Sequence, residues 1–145
     1  MGKNELIYFV GFLDGEGYVG VKKVKPSKKS RQKNPVYNPT ISVGNTNKKI
    51  MKWIKDNFGG HYMIEKLGKA NCKTFYKIEL TKPIIRLYID DFIKYSIVKK
   101  RQLILLKEIL EMKSIPCKYG GRDEKELNRF NQIYQELLNL NKRGL

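Results

Sequence analysis

Phe9-Val10-Gly11-Phe12-Leu13-Asp14-Gly15-Glu16-Gly17 is the stretch whose reading decides the fold. It is an apolar helical run with two glycines four apart, and it ends abruptly in acids. A short helix that is apolar all round is expected to be buried on every side. Gly11 and Gly15 would let a second backbone approach closely, as small residues at this spacing do at tight helix crossings. Asp14 and Glu16 then fall at that junction. An alternative reading of the same residues is a core helix closed by a glycine-rich turn, with both acids merely solvated.

The rest of the composition narrows the partners. At 145 residues the chain is expected to form one domain, 1–145, with a real core but not two substantial ones. Thirty Lys and Arg against fourteen Asp and Glu give a formal charge of +16 and a pI near 9.8, the electrostatic footprint of a polyanion binder. Nucleic acid is therefore the expected partner. An anionic membrane is the competing one, but no apolar run approaches the roughly 20 residues of a spanning helix. Lys3, Asn4 and Glu5 also spoil a signal peptide. An intracellular location is expected: cytoplasm, nucleoid or an organelle matrix. Cys72 and Cys117 are too few for a disulfide framework and read as structural or incidental. His61 is the only histidine, which argues against a closed zinc site and against a His-dependent hydrolase. Carboxylate and metal chemistry remains.

Along the chain, Asn4 can cap a helix over residues 5–14, and residues 17–25 then alternate as a half-buried strand. Residues 21–33 hold seven basic residues and no acid, a solvated connection by the plainer reading. A second strand over 36–44 sets Ile41 and Val43 against Asn38, Thr40 and Ser42. Asn47 can cap a helix carrying Ile50, Met51, Ile54 and Phe58, ended by Gly59-Gly60. Strands are expected over 61–66, with ambiguous faces, and over 74–80, with Tyr76, Ile78 and Leu80 inward and Phe75 and Lys77 outward. Pro83 suits the first turn of a helix to about residue 95, with Ile84, Leu87, Tyr88 and Phe92 as its core stripe. A further helix over 98–113 aligns Val98, Leu105, Ile109 and Met112. Asp123 with Glu126 resembles a capping box that opens a last helix through Leu127, Phe130, Tyr134 and Leu137.

The run 9–17 resembles the LAGLIDADG motif of homing endonucleases, with Gly11, Asp14 and Gly17 matching outright and Glu16 standing where the family carries its metal-binding acid. The element order over residues 5–113 is similar to that family's layout. The resemblance implies an α+β fold, αββαββα, with a four-stranded antiparallel DNA-binding saddle and additional C-terminal helices. With one motif per chain it implies a homodimer whose interface takes Leu6, Phe9, Val10, Gly11, Leu13 and Asp14. The implied activity is metal-dependent hydrolysis of both strands of a long double-stranded DNA target across the minor groove, with an intron-encoded origin.

Such hydrolysis needs activated water, charge stabilisation on the phosphate and help for the leaving oxygen, which divalent metals can supply. Hard cations prefer oxygen ligands, so Mg²⁺ is the expected cofactor, with Mn²⁺ or Ca²⁺ as substitutes. Glu16 is the expected ligand, and by resemblance the carbonyl of Gly15 is a second. Glu in place of the commoner Asp reaches one methylene further and changes metal spacing rather than metal binding. Asp14 is read as orienting the helix end and the dimer junction. By resemblance Asn45 falls near the attacking water, although a simple turn residue is an equal reading, and Lys49 falls where a basic residue assists. The family also brings a lysine to the scissile phosphate, and Lys99 or Lys100 fits; the other reading of each is a contact to distant phosphates. Expected DNA contacts are Tyr18, Lys22, Asn38, Thr40, Ser42, Phe75 and Lys77 on strands. Lys25, Lys28, Lys29, Arg31, Lys33, Lys66 and Lys73 are expected to hold phosphates. Two other functions fit the same surface: an RNA-binding maturase serving its host intron RNA, and a DNA-binding regulator that does not cut. Retention of Glu16 argues against the regulator, because a carboxylate beside phosphates repels them.

Overall fold

In the computed structural model, residues 1–31, 33–65, 73–116 and 121–142 are described. Helix α1 (Lys3–Glu16) is longer than the sequence suggests at both ends. Gly2, not Asn4, is its N-cap, with no side-chain cap bond. Its last turn carries Asp14, Gly15 and Glu16 on helical backbone, and Gly17 then opens β1 (Gly17–Val24) without a connecting loop. A side chain could not stand at Gly17, because a Cβ there would lie 2.6 Å from the Leu13 carbonyl oxygen. That glycine is what lets a strand leave a helix so abruptly.

Strands β1, β2 (Val36–Asn45), β3 (His61–Glu65) and β4 (Phe75–Glu79) form one antiparallel sheet in the order β1-β2-β4-β3. The register pairs Tyr18 with Ser42 and Lys22 with Asn38, Ser42 with Glu79, and Met63 with Lys77. Because side chains alternate across a strand, one face presents Tyr18, Lys22, Asn38, Thr40, Ser42, Phe75, Lys77 and Glu79. The other presents Val19, Val21, Ile41, Val43 and Ile78 to the helices, and all five are buried.

Helix α1 packs against β1 and β2 and against α3 (Lys82–Tyr95). Its buried residues, Leu6, Phe9, Val10 and Leu13, follow the i, i+3, i+4, i+7 spacing of a single stripe. Phe9 sits between Phe58 and Phe92, with ring centroids 4.3 and 5.3 Å away. Within one chain only this stripe is buried. The opposite face, with Ile7, Tyr8, Gly11 and Gly15, is open to solvent in one chain.

Helix α2 (Lys48–Phe58) is capped as expected: the Asn47 side chain accepts from the N–H groups of Lys49 and Ile50. It ends at Gly59 and Gly60, both at positive φ, where glycine avoids the Cβ clash. Two helical stripes differ from expectation. In α3 the buried residues are Ile85, Ile89 and Phe92, while Leu87 is 70% exposed. Helix α4 (Lys100–Ser114) begins two residues later than expected, which leaves Val98 outside it and exposed; Leu103, Leu105, Leu106, Ile109 and Leu110 form its core face. Apolar runs such as Leu103-Ile104-Leu105-Leu106 offer several stripes, and only the packing partner selects one. Helix α5 (Glu124–Leu140) opens on Asp123, whose carboxylate accepts from the Glu126 N–H, and covers β1 and α4. Among the described residues no helix is long and apolar enough to cross a membrane.

Candidate functional site

The last turn of α1 opens onto a groove of about 980 Å³ between the outward face of the sheet and the start of α4. Gly15, Glu16, Tyr18, Lys22, Lys77, Lys99, Arg101 and Gln102 are among the residues that line it. Glu16 is exposed.

Asp14 does not point into the groove's chemistry; it builds the groove's wall. Its carboxylate accepts the Ser96 hydroxyl at 2.5 Å and the backbone N–H groups of Ile97, Val98 and Lys99 at 2.8, 3.2 and 3.3 Å. The Ser96 Oγ in turn accepts from the Lys99 N–H at 3.1 Å. Burial pushes the Asp14 carboxyl up, but the Ser96 hydroxyl and the three N–H donors outweigh it and hold the group below its ordinary value, since each donor favours the charged form. The segment entering α4 is therefore tied to the turn that carries Glu16.

That tie separates the two candidate lysines. Lys99 lines the groove with Glu16, whereas Lys100 is exposed and is not among the lining residues. Asn45 and Lys49 are not among them either. The Asn45 side chain accepts from the Asn47 N–H at 2.8 Å, as a turn residue does, and Lys49 sits exposed in the first turn of α2. Arg101 and Gln102 are groove residues that the sequence did not single out. The Arg101 guanidinium is held by Glu136 at 2.9 and 3.2 Å, and Gln102 is only 8% exposed. Both sit in a helix whose first turn became visible as a groove wall only once Ser96 met Asp14.

On the sheet face, Tyr18, Lys22, Thr40, Ser42, Phe75 and Lys77 all line the same groove. Thr40 and Ser42, expected as direct contacts, are buried at 2% and 4% exposure. The Lys22 ammonium bonds the Glu79 carboxylate at 3.0 Å, and this pair spans β2 above Thr40. Asn38 is likewise engaged, accepting from the Lys82 ammonium at 3.1 Å. Tyr18 folds along its own strand over Gly20; burial, then the neighbouring Tyr134, pushes its phenol up. Lys25, Lys28, Lys29, Arg31 and Lys33 are exposed on the β1–β2 connection, and Lys73 is exposed before β4. Lys66, Cys72 and Cys117 lie outside the described residues.

Four of the six residues expected at a dimer interface, Leu6, Phe9, Val10 and Leu13, are enclosed in the protomer's own core. Gly11 is on the open face of α1, where a Cβ would meet nothing within 4 Å.

A divalent cation fits this donor set only in part. Among the described residues no three His, Cys, Asp or Glu side chains gather as a ligand cluster. Glu16 is a single accessible carboxylate at the carbonyl end of a helix, where the dipole favours positive charge. Mg²⁺ characteristically takes one or two carboxylates together with substrate phosphates, so Glu16 and the Gly15 carbonyl can contribute to such a site but do not complete it.

The profile of the LAGLIDADG endonuclease family matches residues 9–115. A comparison with curated protein sequences finds no match. Among solved structures, the chain superposes on the archaeal intron-encoded homing endonuclease I-Vdi141I complexed with DNA, with a TM-score of 0.73 at 23% identity over 98% of this chain and 87% of that one. It superposes on the homing endonuclease I-CvuI in complex with its target in the presence of Ca, with a TM-score of 0.73 at 15% identity over 99% and 85% of the two chains. The I-SmaMI LAGLIDADG homing endonuclease bound to cleaved DNA is 26% identical over 97% of this chain but only 44% of its own, with a TM-score of 0.59.

Proposed function

This chain belongs to the LAGLIDADG homing endonuclease family, and from that premise we propose that it is a site-specific nuclease, a single domain over residues 1–145. Two copies would cut both strands of a double-stranded DNA target across the minor groove with the help of Mg²⁺. The observation that carries this reading is the meeting of Glu16, the Gly15 backbone and Lys99 in one groove bordered by a strand face that includes Lys22 and Lys77.

Glu16 and the Gly15 carbonyl would hold the cation. When bound, such an ion supplies charge stabilisation and water activation at the phosphate. Lys99 is the groove cation suited to stabilise charge developing on the transferred phosphate. Tyr18, Lys22, Phe75 and Lys77 face the major groove, where side chains on strands reach base edges. The many lysines of the β1–β2 connection hold phosphates and fix register. Glu16 is the carboxylate that each chain brings to the helix end of this groove, while Glu65 lines it from β3, so two chains would flank two scissile phosphates. The open stripe of α1, Ile7, Tyr8, Gly11 and Gly15, is the surface through which they would pair.

The test is a cleavage assay on DNA spanning the insertion point of the encoding gene, with Mg²⁺ and with chelator. Double-strand cuts that require the cation support the reading. Tight binding without cuts in any divalent metal would overturn it in favour of a regulator, and selective binding of the surrounding intron RNA in favour of a maturase.

A further inference from the structure

A second cavity, of about 740 Å³, lies at the other end of the β1–β2 pair from Glu16. Arg31, Lys33, Tyr37, Lys113, Arg122 and Phe130 are among its lining residues. Two more cations, Lys82 and Arg86 of α3, stand close enough to Lys113 to act on its charge. What sets this cluster apart is its partners. Lys82 donates to the Asn38 amide oxygen at 3.1 Å, Arg86 to the Leu110 carbonyl at 3.2 Å, and Lys113 to the Tyr37 carbonyl at 2.7 Å. Arg122 donates to the Met112 carbonyl and to Glu126, both at 3.1 Å. Among the described residues Glu126 is thus the one acid paired within a group of four fixed cations.

The carbonyl end of α4 accounts for Arg86 and Arg122, because cations are favoured there. Lys113 stands in the last turn of the same helix, but its ammonium is taken up by the Tyr37 carbonyl of β2, and the helix end does not account for Lys82. Burial, then the charges of Lys82, Arg122 and Arg86, lowers the Lys113 ammonium to about 8, so the cluster is held in a repulsive arrangement that an anion would relieve.

We propose that this cavity is a phosphate seat that takes a phosphodiester from the flank of the bound duplex. The proposal rests on the DNA reading above. The strand pair runs from Gly17 opposite Val43, beside Glu16, to Val24 opposite Val36, beside the cavity. Eight residues at about 3.3 Å each make that span roughly 25 Å. The same length of duplex, at about 3.4 Å per base pair, is roughly seven base pairs. A duplex on the outward face of the sheet, with its cleavage site at Glu16 and its axis along the strands, therefore reaches the cluster where the Lys82 ammonium meets Asn38. The cations are already fixed by neutral oxygens, so little side-chain freedom is lost on binding.

The test uses the full chain and three probes: a 30-base-pair duplex of the flanking DNA, a hairpin RNA of equal length, and inorganic pyrophosphate. The Lys113 titration is followed by NMR of labelled lysine. The duplex should raise its midpoint by at least one pH unit. Lys113→Met should reduce the magnitude of the log–log salt slope of duplex binding by about 0.9, and Lys113→Arg should restore the slope. Duplex binding with the Lys113 midpoint and the slope both unchanged would overturn the seat. A shift with RNA but not with the duplex would overturn its assignment to DNA. If no duplex binds, the DNA reading fails; a shift with pyrophosphate would then keep the anion seat, and none would overturn it too.

Discussion

The Asp14 carboxylate accepts the Ser96 hydroxyl at 2.5 Å across 82 residues of sequence. Three backbone N–H groups that follow Ser96 converge on the same carboxylate. The carboxylate is thereby taken up as a structural acceptor, and the Lys99 backbone is fixed to Asp14, two residues before Glu16.

Asp14→Asn should destabilise the fold by roughly 1–3 kcal/mol at neutral pH, the cost of losing charge-assisted bonds to a partly buried acceptor. The Asp14 carboxyl is held below its ordinary value of 3.8 in the folded protein. Its contribution is therefore fully present above the unfolded value and lost as pH falls through the folded one. Urea unfolding of both proteins should show a constant gap from pH 7 down to about 5 and a closing gap below 3.8. A gap that widens in acid would refute the assignment.

Glu16→Gln should abolish cleavage while leaving DNA affinity nearly unchanged, because without metal the carboxylate only repels phosphate. Gel shift and single-turnover cleavage on the same samples separate the two. Full cleavage by the Gln variant would remove Glu16 from the chemistry.

Lys99→Met should slow bound-state cutting at least about tenfold, or roughly 1.4 kcal/mol of transition-state stabilisation. Lys100→Met should cut at the wild-type rate, since Lys100 is not a groove residue. Equal slowing of both in single-turnover assays at saturating protein would show that the groove does not distinguish them.

Gly11→Leu should keep the monomer folded, since a Cβ there meets nothing within 4 Å. It should even gain about 0.5–1 kcal/mol of helix stability from losing a mid-helix glycine. The same variant should fail to pair. Sedimentation equilibrium with a melting curve tests both halves, and a dimer as tight as wild type would move the interface off the open face of α1.

Lys77→Ala should relax preference at defined base pairs. Thr40→Val should leave the cleavage profile across single-base variants unchanged, because Lys22 and Glu79 cover it. A profile altered by Thr40→Val would mean that this ion pair opens when DNA binds.

The sequence alone was enough for the elements and for the acid at the helix end. Asn47 and Asp123 cap helices through bonds to residues two or three places on. Gly17 ends a helix by its own lack of a side chain, and strand alternation put Tyr18, Lys22 and Lys77 on one face. These are local effects, set by neighbours in the chain. Tertiary structure decided the rest. Which stripe of α1 is buried, which of two adjacent lysines enters the groove, that the Asp14 carboxylate meets the start of α4, and that three cations gather around Lys113 all depend on contacts between distant residues. Periodicity records that a face is apolar or a run is basic; it carries no information on which partner occupies the space opposite, and that partner determines burial, pairing and charge state.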